Sequence, residues 1–469
     1  MSKRLILVLA LVLVAGFAVA AYAEVQNVKV SGDITVYGLS RSPYLATKAS
    51  TTPTGVELIE PENAAISIAR VRIDADLTDN VAATVRLLNE RYWGNEIGNA
   101  GNGVSNTEVD LDLAYVTLKE FLYSPLNLTI GRQELHFGND MILGDPDTNN
   151  AVSANSPLNG VAGAWPRDPD LSARKSFDAV RATLNYDPLV IDLVAANISQ
   201  TTLNDGNSEA LYGINANYAL SKKTTIEGYF WDRVRGRAFN TTIAANQAKN
   251  DVTYVVGGRL VTQPIDNLTY QLEVAGQFGN VVNTAANTAT AQRRALGIET
   301  SLSYDLKHAK RIGKYKPTIT AVGAYFSGNR GNGDVNKAWD PMYENQTTGS
   351  LANALFNQTN VIIAGLVGTA KPVDDITLKG EYYAYWWDKN LRNTAASAST
   401  TAVAVLTNEA LVMTNNKFAG QEIDATVTYD YTEDVQFGLM GGWLVPGGSF
   451  SDKNNHLASE VIGSMKVTF

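Results

Sequence analysis

The sequence predicts an all-β fold: a transmembrane antiparallel up-and-down β-barrel of about 18 strands, with short periplasmic turns and long extracellular loops. Three observations predict it. Segments of about 10 to 14 residues alternate apolar and polar side chains along the whole chain from residue 28, the connections between them are short and long by turns, and tyrosines recur beside the short connections. Period-two alternation marks strands, and about 9–11 residues of tilted strand cross a bilayer, with some overhang beyond.

The N-terminus comes first. MSKR is a basic start, Leu5 to Ala20 an apolar run, and Ala21-Tyr22-Ala23 a small-x-small cleavage site, so residues 1–23 read as a removed secretory signal and 24–469 as a single barrel domain. Removal takes away Lys3 and Arg4 and no acid, shifting the net charge from −9 to −11, which argues against nucleic acid as a partner. Cysteine is absent, so there is no disulfide framework, thiolate metal site or cysteine nucleophile. Strand one starts almost directly after the signal, which leaves no room for an N-terminal plug.

The stretch ISIARVRIDADL (66–77) shows the pattern at its clearest. Arg70, Arg72, Asp74 and Asp76 share one face, and Ala69, Val71, Ile73, Ala75 and Leu77 the other. Ionised groups are heavily penalised in a dry core, and an arginine at mid-membrane on the lipid face costs about 2–4 kcal/mol. The charged face therefore lines a wet lumen. The same reading gives strands at 27–39, 66–77, 81–92, 107–119, 127–137, 175–186, 189–199, 209–220, 224–234, 251–262, 268–279, 292–306, 317–327, 360–370, 376–387, 418–430, 435–445 and 457–469. Segments 317–327 and 360–370 alternate poorly, so the count is open by two.

Tight turns at 78–80, 186–188, 220–224, 372–375 and 431–434 carry Asp, Asn, Pro and Lys, whereas the loops near 40–65, 93–106, 138–174, 235–250, 328–359, 388–417 and 446–456 are long. Tyr186, Tyr218, Tyr304 and Tyr429 each end a descending strand facing outward, as a lower aromatic girdle does. The terminal VIGSMKVTF places Val461, Met465, Val467 and Phe469 outward, which resembles the C-terminal signature of outer-membrane proteins.

Heights counted from the turns put Arg72, Arg86 and Arg181 near mid-membrane, with Arg70 on the same charged face. Arg132 lies at a similar height. Strict alternation turns it to lipid, and Gly131 beside it suggests a bulge that re-aims it inward. These arginines form a basic wall. Glu227, Glu273, Glu299, Glu381 and Asp424 form an acidic one. Two readings stand: a transverse field that orients charged solutes, or lateral salt bridging, for instance Asp110 or Asp112 with Arg86 or Arg132. The inward Tyr229, Trp231, Tyr383, Tyr385 and Trp387 suit either sugar stacking or packing beneath folded loops. The long loop 138–174 is the candidate constriction. Within it, DPDTNN (145–150) has oxygen donors suited to Ca²⁺ but lacks the glycine and terminal glutamate of an EF-hand loop, so no metal site and no cofactor is assigned. The turn at 307–316 carries six cationic or protonatable residues, and either attracts a polyanion or meets solvent and lipid headgroups.

Three stretches go beyond generic barrel features. LTIGRQELHFGND (128–140) with ILGD following, ARKSFDAVRATL (173–184, with Lys175 inserted beside the arginine) and GQEIDATVTYDYTEDVQFGLMGGWLVPGGSF (420–450) resemble motifs of the alginate-export family of outer-membrane channels. The resemblance implies an 18-stranded monomeric barrel conducting an acidic polysaccharide through an arginine-lined pore, with Arg132 and Arg181 as pore arginines. The inward acids depart from that pattern, since four glutamates oppose a polyuronate.

The expected function is thus an outer-membrane channel for polar solutes, saccharides or acidic oligosaccharides, with outer-membrane lipids as its surroundings. Two alternatives stand beside it: a general diffusion porin, and a barrel hydrolase. Of the three histidines only His136, with Asp140 near it, offers a base and an orienter, and no nucleophile motif accompanies them, so no enzyme is expected.

Overall fold

A computed structural model of the chain describes residues 27–42, 62–93, 109–146, 169–173, 175–199, 209–236, 251–282, 290–329, 335–390, 414–450 and 455–469. Residues 1–23, with the expected signal, lie outside them. Eighteen long strands make the wall: β1 Asn27–Arg41, β2 Glu62–Thr78, β3 Val81–Tyr92, β4 Asp110–Leu118, β5 Leu126–Gln133, β6 Phe177–Asn185, β7 Leu189–Ser199, β8 Glu209–Ser221 and β9 Thr224–Arg235, followed by β10 Asp251–Ile265, β11 Leu268–Val282, β12 Thr290–Asp305, β13 Thr318–Phe326, β14 Val361–Val373, β15 Ile376–Trp387, β16 Phe418–Asp430, β17 Val435–Pro446 and β18 Ala458–Thr468. Each pairs antiparallel with the next, and β1 pairs with both β2 and β18, so the sheet closes and leaves no edge. A two-residue strand, Val335–Asn336, continues the ladder on β12 above the end of β13.

All eighteen strands expected from the sequence are present, including the two that alternate poorly. Those two, β13 and β14, are apolar on both faces for a physical reason. Their inward residues Val322, Ala324, Val361 and Ile363 pack against a hydrophobic mass inside the barrel. Elsewhere the alternation holds. Val71 and Ile73 of β2 are exposed on the outer face, and the outer surface continues through Val85, Val180, Ile214, Val274, Leu302, Leu366, Val427 and Leu439. Tyr186, Tyr218, Tyr304 and Tyr429 are exposed in a row beside the short turns.

The seam closes on one glycine. Gly32 of β1 and Phe469 exchange backbone hydrogen bonds of 2.8 and 3.0 Å, and a Cβ on Gly32 would lie 2.5 Å from the Arg70 carbonyl oxygen and 2.6 Å from the Phe469 ring.

The barrel is not hollow at its long-loop end. Met141, Ile142 and Leu143 from the β5–β6 loop, and Trp339, Met342, Tyr343, Leu351, Leu355 and Phe356 from the β13–β14 loop, fold inward into one buried cluster with wall aromatics. The second loop contains a short helix, α1, Ser350–Leu355. Tyr229, Trp231, Tyr383, Tyr385 and Trp387 are all buried in this cluster, so packing beneath loops, not an open stacking platform, is what those aromatics provide.

Candidate functional site

The ladder registers decide which side chains share the lumen. Arg72 stands opposite Ser31 and Arg86, Arg70 opposite Asp33, Glu273 opposite Arg259 and Glu299, and Glu381 opposite Asp424. Directly opposed residues lie on one face of a sheet, so the two sets form two sides of one interior.

On the acidic side the carboxylates are occupied. Gly138 donates its N–H to Glu227 at 3.0 Å, Asn139 donates its N–H to Glu273 at 2.7 Å and its side-chain amide to Glu299 at 3.2 Å. Gln346 of the other loop donates to Glu299 at 2.6 Å and to the Asn139 carbonyl at 2.7 Å, joining the two loops. Tyr229 adds a hydroxyl to Glu273 at 2.7 Å, and Arg259 lies 3.5 Å from Glu227. Gly138 has φ +65°, and a Cβ there would collide with the Glu273 carboxylate, so the approach of this turn to the wall depends on glycine.

Farther round, Leu351 and Ala352 donate their N–H groups to Glu422 at 2.7 and 2.9 Å, and Ser350 donates to Asp424 at 3.2 Å. Glu381 instead accepts from Lys379 (2.8 Å) and from the Tyr383 hydroxyl (2.9 Å). The β13–β14 loop is fixed at its base by Asp340, which receives Arg233 at 3.2 and 2.5 Å and Arg293 at 3.1 Å. Gln277 clamps its backbone at 2.6 and 2.9 Å. Burial pushes the Asp340 carboxyl up, but the guanidinium groups of Arg233, Arg293 and Arg235 outweigh it and hold the group well below the usual carboxylate range.

The arginine side is wetter. Arg70, Arg72 and Arg181 keep 24%, 35% and 31% of their side-chain surface exposed, against 6% for Glu227, while Glu273 and Asp424 are buried. Each arginine has a lateral partner: Arg70 with Asp33 (3.4 Å), Arg72 with Asp74 (2.8 Å), Arg86 with Asp112 and Glu134 (both 2.5 Å), Arg181 with Asp192 (2.8 Å). Arg181 also lies 5.2 Å from the Phe137 ring centroid, beneath the inward loop.

Arg132 departs from the expectation. The β4–β5 and β5–β6 ladders run through Gly131 without a register shift, and Arg132 stands opposite Ala114 and Asp178, on the face of Ile130 and Val180. It therefore faces outward, 3.4 Å from the exposed Asp178. The bulge expected at Gly131 lies one strand away, between the pairs Arg86–Leu113 and Leu87–Leu111, where the extra residue turns Asp112 inward to meet Arg86.

Three residues that the sequence reading passed over hold the site together. Glu422 was legible, because it lies two positions from Asp424 on the same face. Asp340 and Asn139 were not, since loops have no parity. His136 does meet Asp140, with Nδ1 3.0 Å from the carboxylate, and this hydrogen bond raises the imidazole pKa. In the 145–150 segment Asp145 is buried and accepts the Lys175 N–H at 3.2 Å, and residues 147–150 lie outside the described residues. Among the described residues no cluster of three or more potential ligands is placed to hold a metal ion.

A closed 18-stranded antiparallel barrel, apolar outside and charged inside, with loops folded into its bore, is the architecture of outer-membrane porin-like channels. The sequence profile of the alginate export family matches residues 50–464, and the chain belongs to that family. The solved structures to which it is similar include three proteins of Pseudomonas aeruginosa. OccK8 (OprE) has a TM-score of 0.55 at 10% identity over 95% of this chain and 98% of that one. OccK2 (OpdF), solved in complex with glucuronate, has 0.53 at 11% over 95% and 99%. OpdK, solved with vanillate, has 0.52 at 8% over 94% and 99%. At such identities the likeness is one of fold. No curated protein matches the chain.

Proposed function

We propose that the chain is a selective channel of the outer membrane for anionic saccharide-class solutes, uronates and their short oligomers, built as one barrel from residues 24–469 after loss of residues 1–23, acting as a monomer and without catalytic chemistry. One observation carries this. The two walls are unequal, because loop N–H groups cap the acids while the arginines stay partly open to the lumen. A solute in the remaining bore therefore meets guanidinium groups with their lateral partners, Asp74 and Glu134 among them, and not the capped glutamates, which answers the repulsion that those glutamates would otherwise exert. Guanidinium groups give bidentate hydrogen bonds to carboxylates, which suits uronate recognition. OccK2 in complex with glucuronate and OpdK with vanillate, two barrels of this fold, support the reading.

The lateral pairing of each arginine favours a second reading, a weakly selective porin whose wall charges cancel. Reversal potentials across a KCl gradient separate the two. Wild type is expected to prefer chloride, and Arg72→Gln/Arg86→Gln/Arg181→Gln to lose that preference; equal permeability in both proteins would establish the second reading.

A further inference from the structure

Between α1 and the wall of β16, β17, β18 and β1 the lumen keeps a cavity of about 290 Å³. Its lining differs in kind from the arginine side. Thr426 and Thr428 of β16, Gln436 of β17, Ser464 of β18 and Tyr37 of β1 supply hydroxyl and amide groups, and Asn353 of α1 closes it from above. Among the described residues no lysine or arginine lines it. The one carboxylate that does, Asp170, accepts from the buried Arg41 guanidinium at 3.0 Å, a cation it shares with Glu460.

Two features mark it as a site and not leftover space. Asn353, a polar side chain only 6% exposed, lines the cavity. Gly438, opposite Ser464 on the ladder, gives the Ser464 hydroxyl its room, because a Cβ there would run into it. The volume lies near the lower end of the roughly 300–1,000 Å³ range of small-molecule pockets. Met440 and Ile462 add an apolar surface beside Tyr37. Hydroxyl and amide groups, no lining cation and one apolar flank are the complement of a sugar ring.

We infer that this cavity binds a neutral, polyhydroxylated ring of monosaccharide size, whose hydroxyls meet the polar side chains of Asn353, Thr426, Thr428, Gln436 and Ser464. The inference rests on the proposed saccharide channel and adds to it a face that reads ring hydroxyls where the arginines read carboxylates. Lateral passage along the two faces then lets a uronate engage both at once, and a neutral hexose only the second.

Single-channel recording in planar bilayers tests it, with D-glucose and D-glucuronate as probes and heat-modifiable gel mobility as the control for folding. Wild type is expected to show concentration-dependent current block by glucose. Asn353→Leu should weaken that block at least tenfold, and Thr428→Val/Gln436→Leu, which leaves α1 untouched, should do the same. Arg72→Gln/Arg86→Gln/Arg181→Gln should keep the glucose block and lose only the preference for glucuronate. Absence of glucose block in wild type, or a block unchanged in both cavity variants, overturns the site. A glucose block without any preference for glucuronate would instead overturn the anionic reading and leave the site standing.

Discussion

Asn139 and Glu273 lie 134 positions apart in the chain and 2.7 Å apart across the lumen, the backbone N–H of the first donated to the carboxylate of the second. Through this contact and its neighbours a loop from one side of the barrel is held against the opposite wall. Acids that look like pore lining in the sequence are therefore fastenings, and the width of the bore depends on them.

Replacing Glu273 by leucine leaves the Asn139 N–H and the Tyr229 hydroxyl unpaired in a buried place, at about 1–3 kcal/mol for each group. The loop should then detach for part of the time. Glu273→Leu is expected to raise single-channel conductance and its noise, and Glu273→Gln, which keeps an acceptor, to stay close to wild type. If the leucine variant conducts as wild type does, the loop is held by its apolar packing alone.

Arg132 provides a test of orientation. Outward placement beside Asp178 takes it out of the conduction path, and a half-exposed ion pair of this kind contributes about 0–1 kcal/mol. Arg132→Gln should leave the reversal potential unchanged, whereas single neutralisation of Arg181 should move it toward zero. A shift in Arg132→Gln as large as in Arg181→Gln would mean that the strand turns over at Gly131 after all.

These two residues also mark how far the sequence could be read. Parity is a local property, so ISIARVRIDADL placed Arg70, Arg72 and Asp74 on the wet face with no tertiary knowledge, and the same rule found all eighteen strands. Arg132 was lost because a glycine beside it invited a bulge, while the irregularity that exists, at Asp112, has no glycine and no special residue to announce it. The capping of Glu227, Glu273 and Glu299 was illegible for a different reason. Backbone N–H groups carry no residue identity, and a loop's path across a bore is set by apolar contacts such as Phe137 on Trp231 (5.0 Å), which no periodicity encodes.

Closure of the barrel at Gly32 should be sensitive to a single methyl group. A Cβ at that position meets the Arg70 carbonyl oxygen and the Phe469 ring at distances no ordinary contact shows, so either the β1–β2 ladder or the terminal phenylalanine must move. Overpacking of this kind costs about 1–3 kcal/mol. Gly32→Ala is expected to lower the temperature at which the folded band converts to the unfolded one in detergent gels, and Gly32→Ala combined with deletion of the Phe469 ring (Phe469→Ala) to recover part of the loss. No recovery would assign the strain to the Arg70 carbonyl alone.

Asp340 should be the strongest single support of the inward loop, because its loss leaves two buried guanidinium groups, Arg233 and Arg293, with Asp251 at 3.8 and 3.9 Å and, for Arg233, the Thr253 hydroxyl at 3.1 Å. Removing one partner of a buried ion pair costs about 3–5 kcal/mol, so Asp340→Ala should free residues 335–360 to protease where wild type is resistant. The pH dependence follows from the direction of its shift. A carboxyl held below its ordinary value near 3.9 contributes stability that is present above that value and is lost only as pH falls through the lower, folded one. Acidification to pH 4 should therefore leave the loop closed, and pepsin at pH 3 should still spare it in wild type while cutting Asp340→Ala. Cleavage of wild type within this loop at pH 4 would show that the arginines do not hold the carboxylate ionised.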